Sequence, residues 1–82
     1  RLKVAIADDS FLIREGLRQV LSFAPDLEVV GAHADPEALL SAVDTQAPDV
    51  VMTDIRMPPT HTDEGMQVAE RLRITHPAVG VV

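Results

Sequence analysis

Cysteine is absent from the 82 residues, which excludes a disulfide framework, a thiolate zinc site and any thiol redox role, and suits a reducing compartment such as the cytosol. Long apolar runs are missing too. No stretch approaches the roughly 20 residues that a membrane span needs, and no basic segment followed by an apolar one opens the chain. These absences lead us to expect a soluble, unexported, cytoplasmic domain. Basic residues are scarce, 7 against 13 acidic, and the formal charge of −6 argues against direct binding of this segment to the phosphate backbone of nucleic acid. The surplus acids are available instead to hold a cation. No G-x-G-x-x-G follows the first apolar run, so the glycines that let a backbone approach a pyrophosphate are not there. Repeats, low-complexity tracts and linkers are also lacking, and we expect no second domain in this chain.

What is present is the ordinary composition of a globular domain, 46% hydrophobic and 24% charged. A domain this short buries only about 60–65% of the surface its unfolded chain exposes, so its stability is expected to be marginal. The first residue is Arg1 rather than methionine, and Val79 to Val82 read as the middle of a strand. We therefore expect residues 1–82 to be one partial domain, cut after its fourth strand.

Leu2 to Ala7 is an apolar run broken by Lys3 and ended by Asp8, Asp9 and Ser10, which predicts a buried strand followed by a turn. After Ser10, a suitable N-cap, Ile13, Leu17, Val20, Leu21 and Ala24 recur at helical spacing until Pro25 and Asp26. Arg14, Glu15, Arg18 and Gln19 fill the opposite face. Leu27 to Ala34 predicts a second strand, and its Gly31 suits a place near the sheet edge. Asp35 and Pro36 then sit where an N-cap and a first helical residue belong, Leu39, Leu40 and Val43 supply the stripe, and Pro48 ends it. Asp49 to Thr53 is a third brief strand leading into Asp54 and a proline-bearing loop to about Asp63. Gly65, Val68, Ala69 and Leu72 form a third helical stripe before His76 and Pro77, and Ala78 begins a fourth strand. Alternation of strands with crossover helices predicts an α/β fold on a parallel sheet.

In such a sheet, ligands bind beyond the carboxyl ends of the strands, where the strand order reverses. If the first and third strands are neighbours, Asp8, Asp9 and Asp54 stand at adjoining tips about 4.8 Å apart and share one pocket. Three carboxylates together are costly at neutral pH unless a cation neutralises them, and hard oxygen donors of this kind suit magnesium. A carboxylate there can also act as a nucleophile and form an aspartyl phosphate.

Asp8-Asp9-Ser10 after the first strand, and Asp54-Ile55-Arg56-Met57-Pro58 after the third, resemble the two signatures of response-regulator receiver domains of two-component signalling. The resemblance runs from Leu2 to Val82. It implies a flavodoxin-like (CheY-like) parallel sheet in the order 2-1-3-4, with a fifth strand beyond Val82. It also implies that Asp54 is the phosphoacceptor, that Asp9 ligates Mg2+ directly with Asp8 in close support, and that the backbone carbonyl of Arg56 is a further ligand. The expected partners are a sensor histidine kinase and a second copy of the chain, with no membrane. The wording DIRMPPTHTDEG is similar to LuxR-type transcriptional regulators, which implies DNA contact only through an output domain outside this chain. The family's hydroxyl residue after strand four and its lysine after strand five fall beyond Val82, so weak or absent switching is expected of this segment by itself.

Blander readings stand beside these. An acidic pair after a strand is by default a helix cap or a solvated turn, and the acids near residue 8 gain weight only jointly with Asp54. Ser10 reads as a cap rather than a nucleophile, since no basic partner is expected beside it. Arg56 is expected to face solvent with its carbonyl engaged. His33, His61 and His76 are expected to be surface or loop residues without a catalytic role. Ile13, Leu17, Val20 and Leu21, with Val68 and Leu72, are expected to be core faces. Two other functions remain open: a magnesium-dependent phosphatase with an aspartate nucleophile, which usually carries an acid where Arg56 stands, and a pseudo-receiver that only binds proteins.

Overall fold

The apolar segment Leu2–Ala7 forms β1, around which the sheet is built, in a computed structural model that describes residues 1–53 and 64–82. It pairs in parallel with β2 (Leu27–His33) on one side and with β3 (Val50–Thr53) on the other, and β3 pairs with β4 (Gly80–Val81). The order is β2-β1-β3-β4, as the family likeness implied. Three helices alternate with the strands: α1 (Phe11–Ser22), α2 (Pro36–Gln46) and α3 (Glu64–Thr75). Two caps sit where the sequence puts them. The Ser10 hydroxyl accepts the Ile13 amide at 3.3 Å, and the Asp35 carboxylate accepts the Ala38 amide at 2.8 Å with Pro36 opening the helix.

Crossover handedness decides where the helices lie. The step β1–α1–β2 moves outward in one direction, whereas β2–α2–β3 passes back over β1 and β3–α3–β4 continues the same way. Right-handed connections therefore set α1 on one face and α2 with α3 on the other. The core lies on the two-helix face, where Ala5, Ala7 and Val51 meet Leu39, Val43, Val68 and Leu72. The expectation for Val68 and Leu72 holds, both being fully buried. Val4 and Ile6, at the alternate positions of β1, are buried on the opposite side.

The expected core stripe of α1 needs correction. Ile13 and Val20 are 50% and 66% exposed, and Leu17 and Leu21 are half-buried. Among the described elements α1 is the single helix on its face, so the sheet covers one flank of the stripe and nothing described covers the other. Periodicity identifies an apolar side but not how many layers will close on it.

Strand ends also shift slightly. β3 starts at Val50 because Asp49 is held by its side chain as well as its backbone: the Lys3 amide donates to its carboxylate at 2.8 Å. β4 starts at Gly80 because residues 76–79 close a turn, with the Val79 amide on the His76 carbonyl at 3.0 Å. Ala47 ends α2 at φ 47°, its amide donating to the Val43 carbonyl at 2.9 Å. That is a left-handed cap, a conformation that costs a non-glycine residue roughly 1–2 kcal/mol. Among the described residues no helix is long and apolar enough to cross a membrane.

Candidate functional site

β1 is where the strand order reverses, because the chain leaves it toward β2 on one side and later returns on the other as β3. The crevice at the carboxyl ends of β1 and β3 is thus the place at which an open parallel sheet offers a site. Ala7 and Thr53 are the last paired residues across it. Asp8 and Asp9 follow Ala7 directly, and Thr53 is the residue before Asp54. Asp54 and Arg56, with Ile55, Met57, Pro58 and His61, lie outside the described residues. Of the four candidate ligands, Asp8 and Asp9 are therefore the two that can be located, together at the tip of β1.

Asp8 is fixed on three sides. Its amide donates to the His33 carbonyl at 3.0 Å, which carries the β1–β2 ladder one residue past the strand. Its carboxylate accepts the Ser10 amide at 2.9 Å, and its carbonyl accepts from Arg14 Nη1 at 2.8 Å. Asp8 is half-buried and Asp9 exposed. Ser10 is occupied as the cap of α1, in line with its reading as a cap. Arg14 also lies over the Phe11 ring, its guanidinium carbon 5.8 Å from the ring centre. This arginine was taken from the sequence as filler on the outer face of the helix. Its place six residues after Asp8 is a signal that becomes readable only once the helix is seen to fold back over the strand tip.

Asp8, half-buried with an oxygen already hydrogen-bonded, and the exposed Asp9 are consecutive hard oxygen donors of the kind that magnesium takes. That ion takes one or two carboxylates and keeps several waters, so a donor pair of this kind is chemically sufficient to begin a site. Among the described residues no group of three or more histidines or carboxylates is placed to hold a metal ion, so Asp8 and Asp9 would supply only part of a donor set.

Of the two described histidines, His76 lies in the loop after α3 as expected, and His33 departs from the expectation as a residue of β2. His33 lies at the end of β2, half-buried, with Nε2 3.1 Å from Gln46 Oε1 at the last turn of α2. His76 is held between elements, with Nε2 2.6 Å from Asp44 Oδ1 and Nδ1 2.8 Å from the Thr75 hydroxyl. They are fasteners of α2 to β2 and to the end of α3, a role that requires partners distant in sequence.

Comparison with known proteins bears on this geometry. The family described as response regulator receiver domain matches residues 4–82. A protein-glutamate methylesterase/protein-glutamine glutaminase of Anaeromyxobacter dehalogenans is 40% identical over 81 residues, covering 99% of this chain and 22% of the relative. One from Oleidesulfovibrio alaskensis is 36% identical over 81 residues, again covering 99% and 22%. The chain thus spans about a fifth of the length of these curated relatives. Among solved structures, the isolated REC domain of RcsB from Salmonella enterica serovar Typhimurium, with the phosphomimetic BeF3-, superposes with a TM-score of 0.89 at 26% identity, covering 99% of this chain and 59% of that one. The signal receiver domain of the putative response regulator NarL from Mycobacterium tuberculosis gives 0.83 at 33% identity, covering 99% and 61%.

Proposed function

The chain belongs to the response-regulator receiver family, and on that premise we propose that it accepts a phosphoryl group on Asp54 from the phosphohistidine of a sensor histidine kinase. A carboxylate oxygen of Asp54 attacks phosphorus, the P–N bond breaks, and the imidazole leaves as an acyl phosphate forms. The observation that carries this reading is the β1–β3 register. Ala7 is paired with Thr53, so the residue before Asp8 and the residue before Asp54 stand side by side at neighbouring strand tips.

Magnesium, when bound, supplies positive charge against the carboxylates and the phosphoryl oxygens. Asp9 would hold it directly with Asp8 in support, joined by Asp54 and the backbone carbonyl of Arg56. The chain's own residues prepare the place. The Ser10 amide orients one Asp8 oxygen, and the His33 carbonyl anchors the backbone behind it.

We assign residues 1–82 to one partial receiver domain, cytoplasmic, whose output lies in another part of a longer protein. The output we propose is DNA binding of the LuxR type, supported by the wording of residues 54–65. The RcsB–DNA complex also supports it, superposing with a TM-score of 0.91 at 26% identity over 100% of this chain and 41% of that one. A second reading, a methylesterase output, is favoured by the 40% identity to the Anaeromyxobacter relative. Phosphorylation-dependent binding of a DNA duplex by the full-length protein supports the first, and hydrolysis of glutamyl methyl esters supports the second.

Incubating the full-length protein with acetyl phosphate and Mg2+ should add the mass of one phosphoryl group, and Asp54→Asn should abolish the addition. An unchanged wild-type mass would count against the reading. Steady turnover of a phosphate ester in place of one stoichiometric modification would point to the phosphatase alternative.

A further inference from the structure

Arg14 reaches from the first turn of α1 back to the tip of β1, where Nη1 donates to the Asp8 carbonyl at 2.8 Å. The bond is partly shielded from solvent, and the guanidinium rests on Phe11, an otherwise exposed ring, at 5.8 Å. The same residue, Asp8, gives its carboxylate to the Ser10 amide, and Ser10 caps the helix that carries Arg14. Strand tip, turn and helix thereby form a closed loop of three contacts around the acidic pair.

We propose that Arg14 is a positioning residue for the acidic site, holding the Asp8–Asp9 turn in the geometry that receives the divalent cation. The inference rests on the receiver reading for the cation's presence. It does not rest on that reading for the strap itself.

Two effects of the guanidinium oppose each other, and their opposition makes the inference testable. As a positive charge beside the acidic pair, the guanidinium repels a divalent ion held there and by itself weakens its binding. As the clamp on the turn it favours the ion, since loss of a group that orients a metal ligand typically weakens binding by about tenfold or more. A nearby charge without a positioning role predicts tighter binding on removal. A clamp predicts weaker binding.

The experiment compares the full-length wild-type protein with Arg14→Met and Arg14→Lys by calorimetric titration with Mg2+. Amide exchange of Ser10 is measured without metal. Arg14→Met should weaken Mg2+ binding about tenfold and speed exchange of the Ser10 amide, with the amides of β1 unchanged as the check that the fold is intact. Arg14→Lys, which keeps the charge but not the planar fork, should recover part of both losses. Unchanged or tighter Mg2+ binding in Arg14→Met, or an unaltered Ser10 amide, overturns the proposal while leaving the receiver reading in place. No Mg2+ binding by the wild type overturns both.

Discussion

Gly31 shows how a residue can be marked in the sequence for one reason and required in the structure for another. It reads as the looseness of an edge strand, and the β1–β2 register does slip between Val4 and Ala5 so that Ala5 faces Gly31. Its sharper constraint comes from Gln46: a methyl group at Gly31 would collide with Gln46 Oε1, the oxygen that also meets His33 Nε2. Substitution with alanine stiffens the unfolded chain, worth about 0.4–1 kcal/mol of stability, but pushes Gln46 aside and breaks a hydrogen bond worth about 1 kcal/mol. We expect Gly31→Ala alone to change stability by less than about 0.5 kcal/mol, and the same change in a Gln46→Ala background to stabilise by about 0.5–1 kcal/mol. Equal effects in the two backgrounds, measured by urea denaturation, would show that Gln46 never meets the methyl group. Local rules made the Ser10 and Asp35 caps legible, because a cap and its helix are consecutive. The Asp49, Gln46 and Arg14 contacts were not, since each joins a side chain to an element that only the folded topology brings near.

The same division runs through whole elements. Strand positions, helix starts and the alternation of elements followed from apolar runs and punctuation by proline, aspartate and serine, and the parallel sheet followed from crossover handedness. The depth of burial of each helix did not. Leu72 in α3 and Val20 in α1 occupy similar places in similar stripes, yet Leu72 is completely buried and Val20 is 66% exposed. Leu72→Ala should therefore cost about 2–5 kcal/mol, a large part of the stability of so small a domain, whereas Val20→Ala should stay within about 0.5 kcal/mol. Thermal unfolding followed by circular dichroism distinguishes the two. A comparable loss from Val20→Ala would mean that something packs on α1 in solution. The candidate site divides along the same line. The acid pair and its strand tip were legible as sequence, but the strand order that sets β3 beside β1 was taken from the family likeness. The β1–β3 pairing now supplies that order.

For the whole molecule, opposing forces set the state of association. Phe11, Leu12, Ile13, Val20 and Phe23 of α1 and its end are exposed, and the outer edges of β2 and β4 meet no other described strand. Exposed apolar surface and open edges favour pairing with a second copy. The net charge of −6 opposes it, since like-charged copies repel over a screening length of about 10 Å at 0.1 M salt and about 3 Å at 1 M. Self-association of this chain is therefore expected to strengthen as salt rises, the reverse of an assembly held by ion pairs. Sedimentation velocity across a range of NaCl should show a growing dimer fraction, and Val20→Glu should reduce it if α1 is the surface used. A monomer at every salt concentration would show that the exposed apolar face of α1 is too small or too divided to hold two copies together. The second copy would then have to be dropped from the partners expected from the sequence while the phosphoacceptor reading stood unaffected.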